Sequence, residues 1–140
     1  MITKTRLTVR YAETDQMKIV HHSNYPIWYE AGRTDFTEAM GMPYPKVEEA
    51  GVLFPLLELQ CRYIQAAKYG DIVLVETSLT KLSIVKAEFS YKVYRESDGV
   101  LLNTGKTLHG MVTKELRPMN MKKEKPEIYA MLEAALEPEK

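Results

Sequence analysis

The chemistry that this sequence offers centres on one acid, Asp15, which stands seven residues before His22. After His22 the chain passes through Ser23 and Asn24, two residue types that favour the N-cap of a helix, into an apolar stretch with helical spacing. The first backbone N–H groups of a helix have no partner inside it, so they can polarise a carbonyl group or hold an oxyanion. This short segment therefore offers both a carboxylate base and an oxyanion hole.

The other titratable side chains support weaker hypotheses. His21 and His22 are adjacent, and neighbouring ligands seldom converge on one ion, so we expect no metal site. Cys61 and His109 could act as nucleophile and base, but both fall within apolar strand patterns and no third group is evident to orient them. A buried, inert thiol is the favoured interpretation. The Gly-x-Ser-x-Gly pattern of serine esterases is absent from the sequence.

The residues around Asp15 predict a strand, a loop and a long helix. Polar and apolar residues alternate from Lys4 to Tyr11, which is the period-two pattern of a half-buried strand. The apolar residues after Asn24 recur with helical spacing until Gly41, where we expect the helix to end. Pro26 suits the first turn of this helix. Its apolar residues cover much of its circumference, which indicates burial against a sheet.

The rest of the chain predicts four more strands and a small terminal helix. The strand patterns, which follow a short helical turn at Pro45 to Ala50, cover Leu53 to Tyr63, Ile72 to Leu79, Lys86 to Val93 and Val100 to Leu116. Asp98-Gly99 reads as a hairpin turn between the last two. An amphipathic helix is expected after Pro126. An antiparallel sheet with helices on one face is an α+β arrangement.

Length and charge limit the possible classes of function. A chain of 140 residues is long enough for one core, and we expect a single domain over residues 1–140. The 19 basic and 19 acidic residues balance, so there is no overall electrostatic signal for binding nucleic acid or an anionic membrane. The single cysteine and the lack of any signal-peptide or membrane-spanning pattern predict a soluble cytoplasmic protein with no disulfide.

The run from Arg10 to Tyr25, RYAETDQMKIVHHSNY, is followed by Trp28-Tyr29-Glu30 and Arg33. Together they resemble the signature of the 4-hydroxybenzoyl-CoA thioesterase family. The resemblance implies the hotdog fold, in which an antiparallel sheet wraps around a long central helix, and hydrolysis of acyl-CoA thioesters without a metal or redox cofactor. It also implies homodimers, often paired into homotetramers, with active sites at the subunit interfaces. It extends from Thr3 to Arg117 and is most specific in its first third.

The resemblance also gives roles to individual residues. Asp15 would attack the thioester carbonyl or activate the water that does, and the sequence does not choose between the two. His22 would begin the central helix and polarise the thioester oxygen through its backbone N–H, with its imidazole either assisting the leaving thiolate or serving only as a polar residue. Tyr25 is expected at the edge of an acyl pocket and Trp28 in the core. Lys18 stands where resembling sequences commonly have glycine.

The sequence is less specific about which residues would contact the CoA part of the substrate. The phosphates of CoA would need lysine or arginine, and the candidates near predicted strand ends are Lys81, Lys86, Arg62 and Lys68. Glu30 and Arg33, spaced i and i+3, predict a structural ion pair.

Two rival functions remain open at this point. One is a hotdog hydratase or dehydratase acting on acyl-CoA or acyl carrier protein, although those enzymes tend to carry a His–acid pair at the helix rather than an acid in the preceding loop. The other is a non-catalytic acyl-CoA-binding protein with the same fold, which would turn over no thioester.

Overall fold

Five antiparallel strands and one long central helix make up most of the structure, a computed structural model that describes residues 1–139. The strands are β1 (Ile2–Thr8), β2 (Leu56–Tyr63), β3 (Ile72–Leu82), β4 (Lys86–Arg95) and β5 (Leu101–Gly110), and the helices are α1 (Asn24–Met40), α2 (Tyr44–Glu49), α3 (Met121–Glu124) and α4 (Pro126–Ala135). In space the strands follow the order β1-β3-β4-β5-β2. The α+β class and the order of elements are confirmed. No helix among residues 1–139 is long and apolar enough to cross a membrane.

Helix α1 packs its apolar face against the inner face of the sheet. It ends where predicted, because Gly41 adopts a φ of +97°, a left-handed conformation that glycine takes without the steric cost of a Cβ. The approach to the sheet is close at two further glycines. A Cβ at Gly32 would collide with Thr77 of β3, and one at Gly105 would collide with the ring of Tyr29. The absence of a side chain at these two positions lets α1 lie directly on the strands.

The alternation read from the sequence matches the pleat of the sheet. In β4 the predicted core residues are buried, and they are Ala87, Phe89, Tyr91 and Val93. The intervening residues of β4 are exposed or half-buried on the other face. Helix α4 contributes Ile128, Leu132 and Ala135 to the same core. Successive side chains of a strand point to opposite faces, so this pattern alone determines which face meets α1.

Several predicted boundaries were wrong, and β3 and β4 extend to Leu82 and Arg95, beyond the predicted ends at Leu79 and Val93. β2 begins at Leu56, three residues later than predicted, directly after Pro55, whose ring nitrogen has no proton to donate. β5 ends at Gly110 because the chain then leaves the sheet for a turn in which Leu116 takes a φ of +64°. Tyr11 does not lie on the buried face of β1. It stands in a single 3-10 turn after the strand and is 76% exposed.

A chain of hydrogen bonds crosses the interior between α1 and β5. Arg33 Nη1 donates to the Tyr91 hydroxyl at 3.0 Å, which lies 2.6 Å from Thr107 Oγ1, and that oxygen lies 2.8 Å from His109 Nε2. His109 Nδ1 lies 3.1 Å from the carbonyl oxygen of Phe54, which can only accept. The bonds therefore run in one direction, from Arg33 through Tyr91 and Thr107 to a neutral His109.

Burial first, and the positive charge of Arg33 second, lower the pKa of His109 to about 4. The neutral imidazole is thus the stable form near neutral pH. Cys61 lies elsewhere, with its thiol 3.6 Å from the Tyr29 hydroxyl. His109 and Cys61 contact different partners and form no nucleophile–base pair.

Candidate active site

The loop between β1 and α1 holds Asp15 through its own backbone. The N–H of Met17 donates to Asp15 Oδ1 at 2.8 Å, and the N–H of Lys18 donates to the Asp15 carbonyl oxygen at 2.9 Å. The N–H of Asp15 donates in turn to the carbonyl oxygen of Ile19 at 2.9 Å. Among residues 1–139 no group donates a hydrogen bond to Asp15 Oδ2. One carboxylate oxygen is therefore anchored and the other is available for chemistry.

Lys18 adopts a left-handed backbone conformation, which glycine takes more easily than any other residue. Resembling sequences commonly have glycine at this position. The φ of Lys18 is +65°, in the left-handed region, which costs an L residue other than glycine about 1 kcal/mol or somewhat more. The side chain is exposed and forms no ion pair with any carboxylate that the structure describes. The loop thus keeps its turn despite the substitution.

Glu13 ties this loop to α1, a role that the sequence did not reveal. Only 4% of the residue is exposed, and its two carboxylate oxygens accept from the Trp28 indole N–H and the Arg10 backbone N–H, both at 2.8 Å. Its carbonyl oxygen accepts from the His21 N–H at 2.8 Å and from Asn24 Nδ2 at 2.9 Å. The bonds from Trp28 and Asn24 clamp the segment that carries Asp15 onto the first turns of the helix, and those from Arg10 and His21 hold the loop itself together. Trp28 is buried in the core, as predicted.

His22 lies before the start of α1, not at its first residue. The helix begins at Asn24 with Ser23 as N-cap. The N–H of Ser23 donates to His21 Nδ1 at 3.2 Å, and that of Asn24 donates to the His21 carbonyl oxygen at 3.0 Å. Within residues 1–139 the backbone N–H of His22 has no acceptor. The amide of His22 is thus free in the described part of the chain although it precedes α1, while the amides of Ser23 and Asn24 are taken up by His21.

Asp15 and His22 line one cavity of about 270 Å³, together with Tyr25 and Tyr63. The Tyr63 hydroxyl donates to the His22 carbonyl oxygen at 3.1 Å. The Tyr25 and Tyr63 rings meet edge to face, with their centroids 5.3 Å apart. Tyr25 is 2% exposed and forms part of the cavity wall. Tyr63 was missed by sequence reasoning, and the only signal for it was its position at the end of a predicted strand.

The two tyrosines remain protonated phenols near neutral pH. Burial raises the pKa of Tyr25. Burial, together with the neighbouring Cys61 thiol, raises the pKa of Tyr63 to about 12. Tyr63 therefore keeps the proton that it donates to the carbonyl oxygen of His22.

Lys81 and Lys86 lie at the opposite end of the sheet from Asp15. β1 leads into the Asp15 loop at Thr8, which pairs with Ile72 at the start of β3. Lys81 is at the far end of β3, roughly 30 Å away along the strand at about 3.3 Å per residue. Lys86 begins β4 across the same turn. A single protomer does not bring these lysines to its own Asp15 cavity.

The remaining charged candidates have different surroundings. Lys68 is exposed in the loop that holds Val20, whose N–H donates to the Ala67 carbonyl oxygen, so Lys68 lies at the Asp15 end of the sheet. Arg62 is exposed on β2. The predicted pair between Glu30 and Arg33 is absent from the ion pairs of residues 1–139, and Arg33 donates to Tyr91 instead. In the same part of the chain no three His, Cys, Asp or Glu side chains are grouped so that they could hold a metal ion.

An antiparallel sheet is wrapped around one central helix, and an acid lies in the loop before that helix. This arrangement places the chain in the class of hotdog-fold proteins. The chain matches the family model of the thioesterase-like superfamily over residues 9–136, and it belongs to that family. It is 34% identical over 135 residues to the putative acyl-CoA thioesterase YneP of Bacillus subtilis (strain 168), covering 96% of this chain and 97% of the relative.

Solved structures agree with this assignment. The hypothetical protein TT1821 from Thermus thermophilus is 42% identical, with a TM-score of 0.87 and coverage of 96% of this chain and 98% of that one. The DHNA-CoA thioesterase from Staphylococcus aureus is 28% identical, with a TM-score of 0.89 and coverage of 95% and 89%. The family predicted from the run at Arg10 to Tyr25 is confirmed, and the protein is a thioester hydrolase of the hotdog fold.

The Glu13 clamp yields a test of loop anchoring. In Glu13→Gln, the side-chain NH₂ must face either the Trp28 or the Arg10 N–H, because only one oxygen remains to accept. A buried donor left without an acceptor costs roughly 1–3 kcal/mol, so the free energy of unfolding in urea should fall by that amount. Glu49→Gln, at an exposed site on α2, is the matched control and should change it by less than about 0.5 kcal/mol. Equal losses in the two variants would contradict the clamp.

Proposed function

We propose that the protein is an acyl-CoA thioesterase whose reaction takes place in the cavity shared by Asp15 and His22. The observation that carries the proposal is that Asp15 and His22 line one cavity of about 270 Å³, and that a carboxylate oxygen of the first and the backbone N–H of the second lack protein partners among residues 1–139. The substrate class is supported by the putative acyl-CoA thioesterase YneP, the relative that matches nearly the whole chain.

The chemistry needs one group to start the attack and another to stabilise the charge that follows. As a base, Asp15 takes a proton from water while the water oxygen bonds to the thioester carbonyl carbon. As a nucleophile, Asp15 itself bonds to that carbon, and water hydrolyses the resulting anhydride. Either route places negative charge on the carbonyl oxygen, which the N–H of His22 stabilises by a hydrogen bond. The carbon–sulfur bond then breaks, and the CoA thiolate leaves and is protonated.

The oxyanion donor is held in place before substrate arrives. Its N–H belongs to the planar peptide that joins His21 to His22, and the carbonyl oxygen of that peptide accepts both the backbone N–H and the side-chain NH₂ of Asn24, at 3.0 and 3.2 Å. On the other side of His22, Tyr63 donates to its carbonyl oxygen. Stabilisation by fixed dipoles is effective because little reorganisation is needed during the reaction.

The role of Asp15 is tested by Asp15→Asn. Asparagine keeps an oxygen that can accept from the Met17 N–H, so the loop should hold its conformation, but the amide can neither take a proton nor attack a thioester. We expect kcat for acyl-CoA hydrolysis to fall roughly 10²–10⁴-fold with an unchanged unfolding midpoint. Wild-type turnover by a pure, folded Asp15→Asn sample would refute the proposal.

The role of the His22 backbone is tested by a pair of variants. His22→Ala keeps the N–H and should lose about tenfold in kcat or less, because only the imidazole is removed. His22→Pro removes the donor, which is typically worth roughly 2.7–4 kcal/mol, or about 10²–10³-fold. Because proline can also disturb the start of α1, the two variants are compared at equal folded fraction, measured by circular dichroism. An alanine variant as inactive as Asp15→Asn would assign the role to the imidazole instead.

A second copy of the chain is proposed to complete the site. β2 lies at an edge of the sheet and has no neighbour on its outer side. Five large apolar side chains in and just after this strand are 43–52% exposed, and they are Leu56, Leu57, Leu59, Tyr63 and Ile64. An open strand edge with a contiguous apolar surface favours association, so we infer a homodimer through β2, which can pair further into a homotetramer.

This pairing would supply the lysines that one protomer cannot. Two β2 strands related by a twofold axis run antiparallel, so the Leu56 end of one lies beside the Tyr63 end of the other. The far end of the partner's sheet, with Lys81 of the partner subunit and Lys86 of the partner subunit, then approaches the Asp15 end of the first protomer. Neighbouring strands are about 4.8 Å apart, so these lysines stand two or three strands from the interface, within reach of the phosphates of CoA.

The dimer is tested by substituting Leu59, which is 43% exposed on β2. Analytical ultracentrifugation at micromolar concentration should show a dimer or tetramer for the native chain and a shift to monomer for Leu59→Lys, because a buried unpaired charge opposes association. Ile2→Lys, which changes an apolar residue that is 52% exposed on β1 at the opposite edge of the sheet, is the control and should leave the β2 dimer unchanged. Activity per chain should also fall on dilution. A stable native monomer with full specific activity would contradict the interface.

A further inference from the structure

A second cavity, also of about 270 Å³, lies at the other end of α1 and shares no residue with the Asp15 cavity. It is bounded by the later turns of α1, by α2 and α4, and by the inner face of β4 and β5. Its apolar walls are formed by Met40, Val47, Phe54, Phe89, Ile128 and Leu132. The proposed thioesterase reaction makes no use of this space.

One positive charge, that of Arg33, lines the cavity, and it forms no ion pair with a carboxylate of residues 1–139. No Asp or Glu oxygen of residues 1–139 lies within 4.0 Å of the guanidinium. Its one side-chain hydrogen bond in this part of the chain goes to the Tyr91 hydroxyl, and a guanidinium carries five N–H donors. A half-buried charge beside apolar walls is unfavourable unless a ligand or partner satisfies it.

The titratable groups next to Arg33 inside the cavity are neutral. His109 is held uncharged by burial, which lowers its pKa, and it donates to the Phe54 carbonyl oxygen. Tyr44 keeps its phenol proton, because burial and then the charge of Glu48 raise its pKa. The interior of the cavity therefore carries the single charge of Arg33.

The opening of the cavity is marked by the two exposed residues among its lining, Glu30 and Thr34, about one turn apart on α1. Glu30 is too far from Arg33 to pair with it, although its spacing in sequence would allow contact. The negative charge at the rim disfavours polyanions such as phosphates. A monoanion whose charge reaches Arg33 is affected less.

We propose that this cavity is a second ligand site, which binds a monocarboxylic acid with a compact apolar body. The carboxylate pairs with the free N–H groups of Arg33, the geometry for which a guanidinium is best suited, and the body lies against the apolar walls. A dry apolar cavity of about 150 Å³ accommodates benzene, so 270 Å³ is enough for a single aromatic ring or a short aliphatic chain with its carboxylate. The inference does not depend on the proposed function, although an acid of this class is what thioester hydrolysis releases.

The two cavities can be observed separately through their methionines. Met40 lines the second cavity and Met17 lines the Asp15 cavity. In protein labelled with [methyl-¹³C]methionine, with both signals assigned through Met40→Leu and Met17→Leu, titration with hexanoate and with benzoate should shift the Met40 signal saturably. Hexan-1-ol and benzyl alcohol, which have the same bodies without the charge, should bind at least tenfold more weakly. Equal affinity for acid and alcohol, or a shift of Met17 alone, would overturn the proposal.

Charge variants give opposite expected effects. Arg33→Gln should weaken hexanoate binding roughly 10- to 100-fold, as expected for loss of a charged hydrogen-bond donor, and Arg33→Lys should retain most of the affinity. Glu30→Gln should tighten binding about twofold by removing a like charge at the rim. Thr37→Phe, which fills the space from α1, should abolish the Met40 shift. Folding of each variant is checked by its unfolding midpoint.

The binding measurements on these variants, not the rate of acyl-CoA hydrolysis, test the second ligand site. Hexanoate binding at Met40 that is unaffected by Arg33→Gln in a folded protein would refute the charge pairing. Binding that survives Thr37→Phe would place the acid elsewhere. Loss of acyl-CoA hydrolysis in Asp15→Asn would leave all of these results unchanged, so the failure of either proposal can be told from the failure of the other.

Discussion

The hydrogen bonds of the buried Glu13 carboxylate are the interaction on which the candidate active site depends. A carboxylate with 4% exposure is stable only if its oxygens are satisfied, and here the partners are the Trp28 indole and the Arg10 backbone. Trp28 lies on α1, whereas Arg10 lies in the chain between β1 and Asp15 and also places its guanidinium 3.5 Å from the Glu13 carboxylate. Glu13 therefore joins the first part of the loop to α1. In this way a structural acid, Glu13, helps to position the loop that carries Asp15.

Helix α1 serves two regions with different chemistry. Near its start, a carboxylate oxygen of Asp15 and the amide of His22 have no protein partner among residues 1–139. Towards its end, Arg33 begins a directed chain of hydrogen bonds that finishes at a neutral His109. Between these regions the helix lies directly on the sheet, because Gly32 presents no side chain to β3. The two cavities share no residues.

The sheet geometry explains why a second copy is part of the proposed mechanism. Its antiparallel strands place the Asp15 loop at one end and the β3–β4 turn, with Lys81 and Lys86, at the other. Within one protomer, the length of the sheet keeps the Asp15 loop and these two lysines apart. A twofold partner reverses the direction of the strands and joins unlike ends, and the edge strand that would make this contact is also the one with the most exposed apolar side chains.

Local sequence patterns determined much of the fold and singled out Asp15 as the candidate acid. Alternation in β4 predicted the buried face of that strand. Gly41 predicted the end of α1, and Pro26 predicted its first turn. Each of these signals depends only on residues close together in the sequence. The run around Asp15 was specific enough to identify the family. What the tertiary structure alone decided were the partners: Glu13 with Trp28, Arg33 with Tyr91 rather than Glu30, Tyr63 beside His22, and the place of His22 before the helix. Periodicity shows which way a side chain points, but a hydrogen bond between residues dozens of positions apart depends on the packing of separate elements, and no local pattern records it.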